Sequence, residues 1–334
     1  MITRSGFLAL ALVAGTAGRA RADRDDSIAD PALNANTQEL RVLLGPGTVS
    51  QGANDGFSFN GRAYRGDAVQ LADGMVVNTL PLEAYLYSVV PREMTATWPA
   101  AALQAQAICA RTYVLQRSNP QRAYDVVPSE LDQVYAGIAS ETPAGRAAVD
   151  ATNAMVLRYG DRFAHIAYSS CCGGHTESST GAWGGAPIPY LNGVVCTTCT
   201  DAPYYRWNRA LDLAAVTQAF AAELQPVAPL QALEQGSPDP SGRTRNFVLH
   251  GARGDVSIKG GTFRLRIGPR VLPSLLITKF EPSTEAPERI AIEGGGLGHG
   301  VGLCQWGARG RALEGASFSD ILRFYFPGTE IEHD

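Results

Sequence analysis

The chain has 334 residues, 45% of them hydrophobic and 18% charged, which gives it the length of one large domain or two ordinary ones and the composition of a globular protein. Its formal charge is −4, and 26 of its 28 basic residues are Arg. That balance lacks the basic excess that a nucleic-acid partner or an anionic membrane surface calls for, so neither is expected.

The first residues, MITRSGFLALALVAGTAGRARADRDD, join a positive Arg4 to an uncharged, mostly apolar run from Gly6 to Gly18 and a small-x-small site at Ala20-Arg21-Ala22. This is the pattern of a cleavable signal peptide over residues 1–22, and the run is shorter than the roughly 20 residues a membrane span needs. The mature chain is therefore expected to be exported to the periplasm or cell envelope and to carry no transmembrane span. Residues 23–38 are polar and read as a disordered linker.

LRVLL (40–44), FSFNGRAYRG (57–66), DAVQLA (67–72) and MVVNTL (75–80) are rich in β-branched and aromatic residues and alternate, as strands of a small sheet do. Pro81 and Pro91 bracket LEAYLYSVV, a short helix. Pro99 suits the first position of a second helix, because its missing N–H would be unpaired there, and Ser118-Asn119-Pro120 stops that helix after Arg117. Between Pro99 and Leu115 the only ionisable side chain besides Cys109 and Tyr113 is Arg111. A helix without a charged face is buried or lines a groove.

A third helix is expected over ETPAGRAAVDATNAM (141–155), followed by strands at MVLRYG and FAHIAYSS. A helical stretch is expected over 212–234, with strands at NFVLHG, DVSIKG and FRLRI and a turn-rich connector, SPDPSGRTR, at 237–245. Helices and strands intermingle without regular βαβ spacing, which argues for α+β rather than a doubly wound sheet. The expected architecture is one of mixed short strands around a buried Ala-rich helix, with a β-rich insertion.

Six cysteines stand at 109, 171, 172, 196, 199 and 304. Four cluster in SSCCGGH and VVCTTC. Cys172, His175, Cys196 and Cys199 offer the ligand set of a tetrahedral Cys3His structural zinc site. Disulfides between the two segments suit the same spacing, and an oxidising compartment favours them over the metal. The pairing expected is Cys172 with Cys199 and, second, Cys171 with Cys196, since vicinal cysteines bond each other only with strain.

GGGLGHGVGLCQWGARG (294–310) fits neither the dinucleotide nor the P-loop fingerprint. Glycines 296, 298, 300 and 302 allow a close backbone approach around His299, in what is otherwise a tight, packed turn before a helix. Cys304 and Gln305 near that helix start allow a thiol mechanism, with Cys304 as nucleophile and His299 as base. An i, i+5 pair astride such a turn need not face each other, and Cys304 is more simply a small core residue, as is Cys109. Glu93, between Pro91 and Trp98, is either a helix-start carboxylate favoured by the backbone dipole or a catalytic acid in an apolar setting.

Taken in order, NTLPLEAYLYSVVPREM, TWPAAALQAQAICARTYVL, QVYAG, AVDAT, YSSCCGGHTESS, PYL, PYYRW, GHGVGLCQWGARG and SFSDILRFYFPGTEI resemble the family of stage II sporulation protein D and the amidase enhancer LytB. The likeness runs from about residue 39 to 329, so that 39–334 reads as one family domain with 212–290 as a helix-plus-strand insertion. It implies peptidoglycan glycan strands as ligand and, for the enzymatic branch, lytic transglycosylase activity with Glu93 of the PxEM motif as the catalytic acid. For the other branch it implies a non-catalytic enhancer whose partner is a cell-wall amidase. No cofactor is required by either. Gln104, Gln106, Arg111, Tyr168, Ser169, Ser170, His299 and Gln305 are the candidate glycan-binding side chains, the glutamines because each offers donors and an acceptor to sugar hydroxyls. For Arg111, pairing with an acid such as Glu83 is an equal alternative. Where some relatives carry a Cys/His pair before QVY, this chain has SELDQVY, so a metal site there is expected to be missing.

Overall fold

The computed structural model describes residues 38–52, 56–129, 131–282, 284, 286 and 288–334. The signal peptide expected at 1–22 and nearly all of the linker expected at 23–38 lie outside them. The fold is α+β, and its strands run through small sheets of two or three.

Strands β1 (Glu39–Pro46), β2 (Val49–Gln51), β3 (Gly56–Phe59), β4 (Arg62–Arg65), β5 (Asp67–Gln70) and β6 (Met75–Pro81) open the chain. β6 lies between β1 and β5, all antiparallel, while β2, β3 and β4 form a second ladder. Asn60 and Gly61 turn β3 into β4 with positive φ at both residues, the left-handed pair that Asn-Gly tolerates. α1 (Leu82–Glu93) follows β6 directly and runs through Pro91, which falls in its last turn. α2 (Ala100–Arg117) then buries 13 of its 18 side chains. Pro99 is its N-cap, with extended ψ, rather than its first helical residue. The missing charged face has a simple cause: α2 is the central element, packed on α1, on α3 (Pro143–Asp150), on β7 (Met155–Tyr159) and on the two helices that close the chain.

α3 is shorter than expected. Thr142 caps it by accepting from the Gly145 amide at 3.1 Å, and it ends at Asp150 in turns leading to Ala154, which has positive φ. The expected strand over 163–170 is two short pieces, β8 (Arg162–Phe163) and β9 (Tyr168–Ser169). α4 (Ser179–Trp183) follows.

A second core starts at β10 (Trp207–Asp212). It gathers Trp207, Val216, Phe220, Phe247, Phe263 and Ile292, separate from the main core of Leu40 to Ala202 and Val301 to Phe326. Its elements are α5 (Leu213–Ala219), α6 (Ala221–Leu224), β11 (Leu230–Gln235), β12 (Asn246–Gly251), β13 (Gly254–Lys259), α7 (Gly260–Ile267), β14 (Leu276–Pro282) and β15 (Arg289–Gly295). Two expectations fail here. Residues 230–234, the end of the stretch expected to be helical, lie in β11 against β12. FRLRI, expected to be a strand from its alternation, lies in helix α7: Phe263 is buried and stacked between Phe220 and Phe247 at 5.2 and 4.0 Å, whereas Leu265 is 71% exposed. One anchoring aromatic decided that segment, where the period-two pattern suggested a half-buried strand.

The chain returns to the main core through β16 (Leu303–Cys304), parallel to β9, then α8 (Gln305–Leu313), α9 (Phe318–Tyr325) and β17 (Glu330–His333) on β7. Among the described residues no helix is long and apolar enough to cross a membrane.

Candidate functional site

Glu93 is the last residue of α1 rather than the start of a helix, so the helix dipole does not favour its charge and the helix-start reading fails. Met94 leaves the helix in extended conformation while its amide still bonds Val90, so the carboxylate projects from the helix end, half-buried. Glu93 Oε1 accepts from the Val134 amide at 3.2 Å, and Oε2 accepts from Gln305 Nε2 at 3.3 Å. Gln305 is the first residue of α8, and its Nε2 also reaches Gln106 Oε1 on α2 at 3.4 Å. Three expected site residues, far apart in sequence, thus meet: Glu93, Gln106 and Gln305. Val134 comes from the QVYAG segment, so four stretches of the chain converge on one carboxylate.

Buried polar atoms surround it. Tyr85, Tyr113 and Tyr168 line this part of the core, with Tyr113 and Tyr168 rings 6.4 Å apart. Burial, with a smaller contribution from the charge of Glu93, pushes the Tyr85 and Tyr168 phenols well above their ordinary pKa. Both are held as neutral O–H donors. Gln133 donates to the Ala110 carbonyl at 3.2 Å and lies beside Tyr168, too loosely for a bond of good geometry. Among the described residues nine buried side-chain polar atoms lack a hydrogen-bond partner, and five of them are Tyr85 Oη, Gln106 Nε2, Gln133 Oε1, Tyr168 Oη and Ser169 Oγ. Such atoms are rare in folded proteins, since each costs roughly 1–3 kcal/mol when left unpaired; Tyr85 and Tyr168 lie within reach of the Glu93 charge, and Gln106 shares Gln305 with it. Trp98 and Trp306, which directly follows Gln305, meet edge to face at 5.0 Å, both half-buried.

The other candidates sort differently. Arg111 takes the structural reading: fully enclosed, it binds Glu83 through two contacts of 2.7 Å and the Met155 carbonyl at 3.0 Å, which leaves its guanidinium no part in the site. Gln104 is half-buried on α2. Ser169 lies opposite Cys304 in the short parallel ladder, and the Ser170 carbonyl accepts from the Trp306 amide at 3.0 Å. His299 accepts at Nδ1 from the Val301 amide at 3.0 Å and packs its ring on Trp183 at 5.4 Å. The glycines at 296, 298, 300 and 302 all take positive φ. At 298 a Cβ would sit 2.7 Å from that of Ser169, so the loop can lie on β9 only without a side chain there.

The cysteines depart from expectation. All six are free and buried, so the disulfides expected among Cys171, Cys172, Cys196 and Cys199 are not formed. Cys172 and Cys199 are neighbours, yet their sulfurs are 3.7 Å apart, against about 2.05 Å for a bond. Cys171 turns its sulfur towards the Cys199 carbonyl at 4.0 Å instead of towards Cys196. His175 is not among the clustered ligand atoms; its Nδ1 faces the Thr176 carbonyl at 2.6 Å. The thiol mechanism has no support, because Cys304 is buried and accepts amide hydrogens from Cys172 and Gly307 while His299 is engaged elsewhere.

Tyr85, Gln133 and Trp306 were readable only as parts of motifs, since nothing in their spacing separates a groove aromatic from a core one. Glu177 and Arg243 were not anticipated either. Both are buried, and Ser241 Oγ touches Glu177 at 2.6 Å and Asp239 at 2.7 Å, joining the connector 237–245 to the main core.

A family model described as Stage II sporulation protein matches residues 72–159, and one for a domain of unknown function matches 191–302. An uncharacterized protein of Brachyspira hyodysenteriae is 34% identical, covering 83% of this chain and 74% of its own length. The stage II sporulation protein D of Bacillus subtilis is 29% identical over 76% of this chain and 75% of its own. The amidase enhancer of the same organism is 29% identical over 74% of this chain, which spans 40% of the enhancer's length.

Proposed function

The chain belongs to the family of stage II sporulation protein D and the amidase enhancer LytB, and on that premise we propose that it is an exported lytic transglycosylase that cleaves the MurNAc–GlcNAc bond of peptidoglycan glycan strands. The observation that carries the reading is the half-buried carboxylate of Glu93, held by Val134 and Gln305 from distant parts of the chain, with Gln106 behind Gln305.

The chemistry needs one carboxyl group. Neutral Glu93 gives its proton to the glycosidic oxygen as the C1–O bond breaks and positive charge spreads over C1 and the ring oxygen. The resulting carboxylate takes the proton from the C6 hydroxyl of MurNAc, whose oxygen closes on C1. The products are a 1,6-anhydro-MurNAc end and a free GlcNAc end, with Glu93 again protonated and no water consumed. An ordinary glycosidase would need a second carboxyl across the bond. Asp132, the acid in this part of the fold, is already engaged: it accepts from Tyr113 Oη and the Val127 amide, both at 2.9 Å, and pairs with Arg117 at 3.3 Å. Gln305 and Val134 fix the orientation of the acid, and the buried Gln106 in turn holds Gln305. Trp98 and Trp306 supply apolar surface for a sugar face.

Incubation of the purified protein with native and amidase-denuded glycan strands, followed by mass spectrometry, tests this. Anhydro-MurNAc ends are the expected product. Strands that stay intact, while a cell-wall amidase acts faster on sacculi in the protein's presence, would replace the enzyme with the second reading, an enhancer, which the likeness to the amidase enhancer favours.

A further inference from the structure

The proposed chemistry makes no use of the cysteines, although four of them, drawn from three distant stretches, converge. The Sγ atoms of Cys172, Cys196, Cys199 and Cys304 all lie within 4.8 Å of one another, and all four residues are buried. The Cys172–Cys199 separation of 3.7 Å is far too long for a disulfide but matches the edge of about 3.8 Å that a tetrahedron with zinc–sulfur bonds of about 2.3 Å requires. We propose that Cys172, Cys196, Cys199 and Cys304 form a tetrathiolate site for a single structural zinc ion.

The surroundings are those of thiolates. The amides of Cys172 and Gly307 point at the Cys304 sulfur at 3.2 and 3.3 Å, and the Tyr325 hydroxyl stands 3.1 Å from that of Cys196. Outer hydrogen bonds of this kind orient metal ligands and stabilise their charge. Cys304 is also the N-cap of α8, where the positive end of the helix favours an anion. Four thiolates and one Zn²⁺ leave a net charge of −2. The guanidinium of Arg243, 3% exposed, is fixed beside the cluster by the Cys172 and His175 carbonyls at 2.8 and 3.0 Å. Gly307 leaves the sulfurs their room: a Cβ there would stand 2.6 Å from Cys196 Sγ. With four protein ligands no position stays open for water or substrate, so the ion would be structural rather than catalytic.

The site bears on the carboxylate of the proposed chemistry through geometry. It would tie the loop after β9 and the 196–199 knuckle to the start of α8, and the residue after Cys304 is Gln305, which holds Glu93. Cys171, whose sulfur turns to the Cys199 carbonyl, is outside the ligand set.

The full mature chain, purified without chelator from zinc-supplemented cells, should contain one zinc per molecule by elemental analysis. After denaturation in chelator, all six cysteines should alkylate. Cobalt substituted for zinc should give the intense sulfur-to-metal charge-transfer bands of a tetrahedral tetrathiolate. A strong chelator should lower the melting temperature and a thiol reductant alone should not. Cys171→Ser should retain stoichiometric metal, whereas Cys172→Ser should lose it. Should Cys172→Ser fail to fold, X-ray absorption at the zinc edge of the parent decides, with four sulfur neighbours expected. A Cys172–Cys199 disulfide in the intact mass, metal below stoichiometry with all six thiols free, or nitrogen donors at the zinc edge would each overturn the site. These readouts do not involve glycan cleavage, so the zinc site and the transglycosylase reading can fail separately.

Discussion

Helix α2 buries Gln106 and Arg111, five residues apart, in the main core; both are candidate glycan contacts from the sequence, with pairing to Glu83 the equal alternative for Arg111. Arg111 is saturated: Glu83 takes its fork and backbone carbonyls take the rest. Gln106 is not, since its Oε1 meets Gln305 while its Nε2 has no partner. Burying a polar group is tolerable only when it is paired, so the first of these is architecture and the second is a cost that the fold carries for another reason. What distinguishes these two side chains is pairing rather than residue type.

The sharpest way to break that contrast is to remove the acid that shares Gln305 with Gln106. Glu93→Gln should lower glycan cleavage at least 10²–10⁴-fold, the usual worth of acid–base catalysis, while the far-UV spectrum and glycan binding stay near those of the parent. A variant that cleaves at the parental rate would end the catalytic assignment of Glu93.

On the saturated side the effect should fall on stability. Arg111→Ala leaves Glu83, whose side chain is only 18% exposed, without its counter-ion. Breaking a buried pair typically costs about 3–5 kcal/mol. The paired variant Glu83→Gln with Arg111→Met should recover part of that, because neither charge is stranded. Denaturant unfolding measures both. An Arg111→Ala protein as stable as the parent but weakened in glycan binding would return Arg111 to the groove.

Gln305 lies between the two cases, as a positioning residue that touches the acid. Gln305→Ala removes a hydrogen bond to the Glu93 carboxylate. Bonds to charged groups are worth about 1.5–3 kcal/mol, which predicts a kcat lower by about ten- to a hundredfold with little change in KM. A change confined to KM would make Gln305 a substrate contact instead.

The same distinction explains what the sequence revealed and what it hid. The charge-free run from Pro99 to Leu115 announced a buried helix, and the order of motifs pointed to Glu93, because both signals are local. Gln106 and Gln305 could be named as polar residues in suggestive company, yet their meeting at Glu93 depends on α8 returning to α2 from 199 residues away. Cys304 hid more completely. As a single cysteine in a Gly-rich turn it resembled core filler, and only the parallel pairing of β16 with β9 brings it to Cys172. FRLRI misled for the opposite reason, since its alternating pattern was real but α7 was decided by Phe263 lodging between two other rings.

The smallest effect belongs to a third polar cluster, neither saturated nor open. Glu177, 2% exposed, and Asp239 both contact the one hydroxyl of Ser241, which can donate to only one of them. The two carboxyl groups therefore share a proton, and burial first, then Asp239, pushes Glu177 up to about 7 while Asp239 is held below its ordinary value. A folded-state pKa above the unfolded value of 4.5 means that the native protein holds more protons than the unfolded chain between pH 4.5 and about 7. The contribution of Glu177 to stability is thus full below pH 4.5, falls as pH rises through that window, and levels off above it. Asp239 acts in the other direction, but only near and below pH 3.8, outside the window. Glu177→Gln mimics the protonated form at every pH. The difference in unfolding free energy between variant and parent should therefore shift in favour of the variant from pH 5 to pH 7.5, as denaturant titrations at the two values would read. A difference that is constant across that range would show that Glu177 is ionised throughout and that Ser241 and Arg243 alone hold it.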